Sequence, residues 1–275
     1  MSQIQLPSNL SQILTICRYE LLIGIRGKKI PAILGITVGI TLALIIVPEI
    51  LEVEHADSSF EYLLMPIGFG FFLFIITAAL FGSNSLVSEF HERTGYSLFP
   101  NPVTRSSIWF GKFLSAEILG ICVISIFYGM LSIGAYSIYN EVPSEIFESF
   151  LLSFVMVTMV MSVSFFISSF SRGPTGAVVL VFVIFILILP MVDQFLINFS
   201  ETKPWFSPTF IREINQNILF DPYPIDLEPG EMPRGPFDFK QFVPYIDESL
   251  AVMFSYIVLF SLASIYLFRR REMTS

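Results

Sequence analysis

Glu89, Glu92, Arg93 and Arg105 stand close together in the stretch SEFHERTGYSLFPNPVTRSSIWFGK, residues 88–112. Thr94-Gly95 and Pro100-Asn-Pro102 break that stretch into short helical pieces. Leu98, Phe99, Ile108, Trp109 and Phe110 run between the charges. Charge of both signs beside apolar side chains serves recognition rather than bond-making. Complementary charge sets register, and apolar area supplies contact. A plain tether needs neither, so these residues read as a small folded element offered to a partner. The simpler alternative is that the stretch packs only against its own bundle.

Bond-making chemistry has fewer candidates. Glu117 and Asp193 are carboxylates set in or beside apolar runs, and such groups are candidates for ion or proton pathways. Both lie near enough to an edge to reach water instead. His91-Glu92 lacks the second histidine of a zinc helix, and His55 is remote in sequence. Met156, Met159 and Met161 could offer soft ligands, but methionine is commonly a packing residue. Cys17 and Cys122 show no metal spacing and no reason to pair. There is no G-x-S-x-G and no G-x-x-x-x-G-K-[ST]. The chain therefore reads as no enzyme, with no metal or cofactor site of its own. If it moves a substrate, the energy comes from a partner protein or an ion gradient.

The elements that carry these residues are membrane spans. Of the 275 residues 54% are hydrophobic and 14% charged, against about a quarter charged in soluble domains. The apolar residues come in blocks at 30–48, 62–88, 113–139, 149–171, 173–197 and 249–268. About 20 helical residues cross a ~30 Å hydrocarbon layer, which predicts six spans. The alternating pattern of a membrane barrel is missing, so the spans are helices. The expected fold is an all-α integral membrane protein: one 1–275 domain, a bundle of six transmembrane helices.

Segments 1–29, 89–112, 171–173 and 269–275 hold 11 of the 15 Lys and Arg residues. Loops 49–61 and 140–148 hold none, and carry Glu49, Glu52, Glu54, Asp57, Glu61, Glu141, Glu145 and Glu148. The basic side faces the cytoplasm, so both termini are expected there, in a multi-pass protein of the plasma membrane. The net charge of −8 is then mostly an outside property and does not suggest a nucleic-acid binder. No cleavable signal peptide is visible, because the first apolar run begins only at Ile30.

Residues 8–26 place Leu10, Ile13, Cys17 and Leu21 on one helical stripe and Arg18, Glu20 and Arg26 away from it. With the break at Gly27-Lys-Lys-Ile-Pro31, this predicts an amphipathic helix along the inner membrane surface within 1–29; the alternative is an extension of the first span. Pro66, Gly68, Gly70 and Gly82 predict a bent or closely packed second span, and Pro190 a kink in the fifth. Ser171–Pro174 leaves room only for a tight hairpin. The 200–247 segment is expected outside, with a short amphipathic helix over 207–220 capping the bundle through Ile211, Ile214 and Ile218.

Glu89, Glu92, Arg93-Thr94-Gly95, Leu98, Pro102-Val103, Arg105 and Gly111-Lys112 resemble the loop between the second and third spans of type-2 ATP-binding-cassette (ABC) exporter permeases. The commoner family order is Gly-Thr with a longer stretch before Pro-Val, where this chain has Thr-Gly and a shorter one. Arg18, Glu20 and Arg26 are similar to that family's interfacial helix. The resemblance, which spans the whole chain, implies that 89–112 is a coupling helix docking on a separate ATPase. Glu89, Glu92, Arg93, Gly95, Leu98, Pro102 and Arg105 would make the contact. ATP and Mg²⁺ would sit on that ATPase, and the permease would pair with itself or a similar permease, among membrane lipid. The rivals are an ion-coupled secondary transporter using Glu117 or Asp193, and a non-transporting membrane anchor or sensor.

Overall fold

A computed structural model describes residues 8–50, 58–91, 103–226 and 242–271. Helix α1 (Asn9–Arg26) starts at Ser8, whose Oγ accepts the Ser11 N–H at 3.3 Å. It stops at Gly27, and Lys28 takes a left-handed φ of 59°, so the chain turns before α2 (Lys29–Ile50).

The second span is α3 (Ser59–Thr77), a π-helical turn (Ala78–Gly82) and α4 (Ser83–His91). The third is α5 (Arg105–Tyr139), capped by Thr104 and closed by Asn140 at φ 55°. The fourth is α6 (Glu145–Phe170). The fifth is α7 (Pro174–Phe182), a second π-helical turn (Val183–Ile188) and α8 (Leu189–Ser200). Short helices α9 (Pro208–Ile211) and α10 (Ile214–Asn217) precede the last span, α11 (Ile246–Arg270). Among the described residues six helices are long and apolar enough to cross a membrane, and no strand occurs.

These six are not equivalent. The most apolar windows of the second, third and fourth spans are 61%, 50% and 61% buried, against 22%, 17% and 17% for the first, fifth and sixth. Three helices therefore make the core, and three stand around it with large apolar faces open. Phe74, Phe127, Phe165 and Trp109 fill the centre. Close approach depends on Gly82, where a Cβ would come within 2.8 Å of Met161 Sδ and 2.9 Å of Ser164 Cβ on α6. Met156, Met159 and Met161 are fully buried in this core and serve as packing residues.

The second and fifth spans, which hold Pro66 and Pro190, each contain a π-helical turn. The Pro190 ring crowds the carbonyl four residues back, at Ile186, and that carbonyl lies inside the wide π-helical turn. The fourth and fifth spans turn over within Ser171–Gly173.

Two expectations are corrected. The helix expected over 207–220 is two four-residue helices. Bonds from Glu213 N–H to the Phe210 carbonyl (3.3 Å) and from Asn215 N–H to the Arg212 carbonyl (3.2 Å) tighten the chain between them. The offset lets Phe210, Ile211, Ile214 and Leu219 all turn inward. Second, α5 begins at Arg105, so Ile108 and Trp109 are buried in the bundle and supply no docking surface. Phe110 is exposed.

Candidate functional site

Strand polarity of the six spans puts α1, the end of α4, the start of α5, the α6–α7 hairpin and the end of α11 at one end, here the basic end. At its centre is Lys112, two residues beyond the exposed Phe110 on α5 and 3% exposed. Its Nζ lies 2.5 Å from Glu20 Oε1 on α1 and 2.8 Å from Glu89 Oε1 on α4. One cation thus joins three helices that are remote in sequence. Charge-assisted bonds are stronger than neutral ones, and removing one partner from such a buried cluster is expensive.

Local packing brings Glu20 to this place. At Gly111 an added Cβ would lie 2.7 Å from Ile16 Cβ and 2.9 Å from the Ile13 carbonyl. Only a glycine lets α1 lie this close to α5. The packed face of α1 holds Gln12, Cys17 and Gly24, whereas Arg18 and Arg26 are exposed.

A second set of contacts closes the helix ends beside this cluster. Arg105 Nη1 donates to the carbonyls of Arg269 and Arg271, each at 2.8 Å. Arg271 in turn donates to the carbonyls of Ser169 at 3.0 Å and Ser171 at 2.6 Å. Each guanidinium caps carbonyls that a helix end leaves unpaired. Ser168 Oγ accepts the Leu86 and Val87 N–H groups, each at 3.0 Å, and Trp109 Nε1 donates to Ser264 Oγ at 2.9 Å. The start of α5 is therefore tied to α6 and α11 as well as to α1 and α4.

The opposite, acidic end is closed by neutral groups. Tyr128 OH lies 2.8 Å from Ser149 Oγ and 2.7 Å from Ser153 Oγ, and Ser149 Oγ donates to the Asn215 carbonyl at 2.6 Å. Gln216 Nε2 donates to the Leu64 carbonyl at 2.6 Å, over Gly68. These bonds seat α10 on the second and fourth spans, and Tyr128 ties the third span to the same serine. Burial pushes the Glu213 carboxyl above its usual range; Arg212 opposes the shift and Asp193 adds to it.

The two intramembrane carboxylates are held apart. Glu117 Oε2 accepts from Thr158 Oγ1 at 3.0 Å, and its Oε1 is buried without a hydrogen bond among the described residues. Asp193 Oδ2 accepts from Thr209 Oγ1 on α9. Each is bound to one neighbouring hydroxyl, and they share no partner. Among the described residues no group of three or more His, Cys, Asp and Glu side chains could hold a metal ion.

Of the residues expected to meet an ATPase, Glu89 is buried against Lys112 and Arg105 caps α11. Glu92, Arg93, Gly95, Leu98 and Pro102 lie outside the described residues. Lys112 was visible only as part of a Gly-Lys pair. Its signal was a lysine set inside an apolar helix, where an unpaired charge would be costly. Nothing in local sequence marked Arg271, Tyr128 or Gln216.

A family model described as "ABC-2 family transporter protein" matches residues 15–273. No curated protein matches the chain.

Proposed function

Since the chain belongs to the ABC-2 family of transporter proteins, we propose that it is the membrane permease of an ABC exporter, moving its substrate outward. Permeases of this family work with an ABC ATPase subunit. In this reading ATP and Mg²⁺ are bound there and none by this chain. Two permeases, identical or similar, work with two ATPase subunits in the plasma membrane, with both termini cytoplasmic.

The observation that carries the reading is the Glu20–Lys112–Glu89 junction. It lies at the roots of both helices that flank residues 92–102, the segment proposed to dock. A displacement of that segment by the ATPase reaches α4 through Glu89 and α5 through Arg105. Lys112 carries it on to α1. Because the three helices share one cation, they move together rather than separately, and the bundle tilts between inward and outward states. Arg105 adds the C-terminal end of α11 to the moving body.

Co-purification with the ATPase subunit tests this. The paired substitution Glu92→Lys and Arg93→Glu is expected to weaken complex formation, with thermal unfolding of the permease alone as the control for folding. An undiminished complex rejects docking at this stretch. Asp193→Asn is expected to leave transport coupled to ATP hydrolysis; lost transport with normal ATPase binding favours an ion-coupled carrier instead.

A further inference from the structure

Between α1, the end of the second span and the start of the third lies a cavity of about 510 Å³. Ile16, Phe81, Ile108 and Leu119 form its apolar wall. Glu20, Lys29, Asn84, Glu89 and Lys112 form its polar wall. Three features specify an occupant.

The first is where the cavity opens. Tyr19, Ile23 and Leu80 line it and are 62%, 60% and 38% exposed. Its lining therefore runs on into the apolar outer surface of a membrane-spanning bundle, the surface that acyl chains cover. The second is its charge. Glu20 and Glu89 are balanced by Lys112 and Lys29, so the wall is neutral in sum. It favours a zwitterion over an anion or a cation. Lys112 is already neutralised by two carboxylates, whereas Lys29 is exposed and has no ion pair among the described residues. The third is Asn84. Its Oδ1 is buried with no hydrogen-bond partner among the described residues, and it lies five residues inside Glu89, about 7.5 Å along the helix. A buried amide oxygen without a donor is costly, so this site calls for a hydrogen-bond donor.

We propose that this cavity is a binding site for one phospholipid with a primary-amine headgroup. The ammonium donates to Asn84 Oδ1, the phosphate rests on Lys29, and the acyl chains leave past Tyr19, Ile23 and Leu80. The volume holds the headgroup and glycerol region, leaving the chains in the bilayer. A quaternary choline has no N–H for Asn84, and an anionic glycerol headgroup would bring a net negative charge to a wall that is neutral in sum. The site would lock α1 to the second span through lipid, beside the direct ionic contact at Lys112.

The test is lipid retention. The full chain is placed in bilayers of equal phosphatidylethanolamine, phosphatidylglycerol and phosphatidylcholine, extracted in mild detergent and weighed by native mass spectrometry. The expected result is one phosphatidylethanolamine per chain. Occupancy falls about tenfold in Asn84→Leu, the scale of one lost hydrogen bond to a charged group. It is abolished in Ser85→Trp, which fills the cavity. Thermal unfolding reports whether these variants fold, and Lys29→Glu, at an exposed position, reads the phosphate contact if they do not; it too should lose the lipid. Equal retention of the three lipids overturns the proposal. So does unchanged phosphatidylethanolamine occupancy in folded Asn84→Leu, in folded Ser85→Trp or in Lys29→Glu.

Discussion

The two ends of the bundle are closed by opposite means. At the basic end one buried lysine gathers two carboxylates from two other helices, and two guanidinium groups cap two helix ends. At the acidic end hydroxyl, amide and carbonyl groups make the seal, and two short helices act as a lid. Ion pairs there are at the rim: Lys203 lies 3.6 Å from Glu248, whose side chain is 55% exposed, and such pairs contribute little. The contrast teaches how load is distributed. The basic end concentrates its connection in single charges, so a push on one helix is passed on. The acidic end spreads it over many weak bonds, each replaceable.

That contrast can be broken most directly at Lys112. Lys112→Met leaves buried Glu89 and Glu20, whose side chain is 26% exposed, facing each other without their shared cation. It is expected to cost about 3–5 kcal/mol, read as a lowered midpoint of thermal unfolding. A loss below about 1 kcal/mol would show that the charges are not what holds this end. Next comes Gly111→Leu, which drives a side chain into the α1 backbone. Overpacking of this kind costs about 1–3 kcal/mol, and limited proteolysis should release α1 before the rest of the chain unfolds.

At the acidic end the effects should be smaller. Tyr128→Phe removes a hydroxyl shared by Ser149 and Ser153, and is expected to cost about 0.6–1.7 kcal/mol, the scale of interhelical side-chain bonds in a membrane. If its midpoint shift matches that of Lys112→Met, the proposed difference between the ends disappears. The smallest effect belongs to Gly68→Ala. Its Cβ would come within 2.6 Å of Gln216 Nε2, yet that atom ends a flexible side chain and can move aside. Gly111→Ala meets the fixed Ile13 carbonyl and Ile16 Cβ, so it should destabilise clearly more than Gly68→Ala in the same measurement.

Much of the fold was legible because hydropathy is a local property. Runs of some twenty apolar residues predict six helices, and all six appear. Pro66 and Pro190 fell in the two spans that hold π-helical turns, whereas Pro48 lies in a span that holds none. Residues 207–220 showed their inward-facing isoleucines, but the four-residue helices depend on the shape of the bundle beneath them. The site was legible in part. Glu89, Arg105, Gly111 and Lys112 belonged to one recognisable pattern, and that pattern assigned Glu89 and Arg105 to a partner. In the structure Gly111 makes room for α1, Lys112 binds Glu20 and Glu89, and Arg105 holds the carbonyls of α11.

By itself the sequence determined the class of the protein, its six spans, the asymmetry of charge between its two sides and the lack of a nucleotide-binding P-loop. Each follows from residue types summed over short windows. Only the tertiary structure decided which charges meet. Residues 20, 89 and 112 lie on three separate helices, and nothing local to any of them names the other two. Their pairing arises when Gly111 allows α1 to press against α5, because burial then leaves each charge no stable state except beside the others.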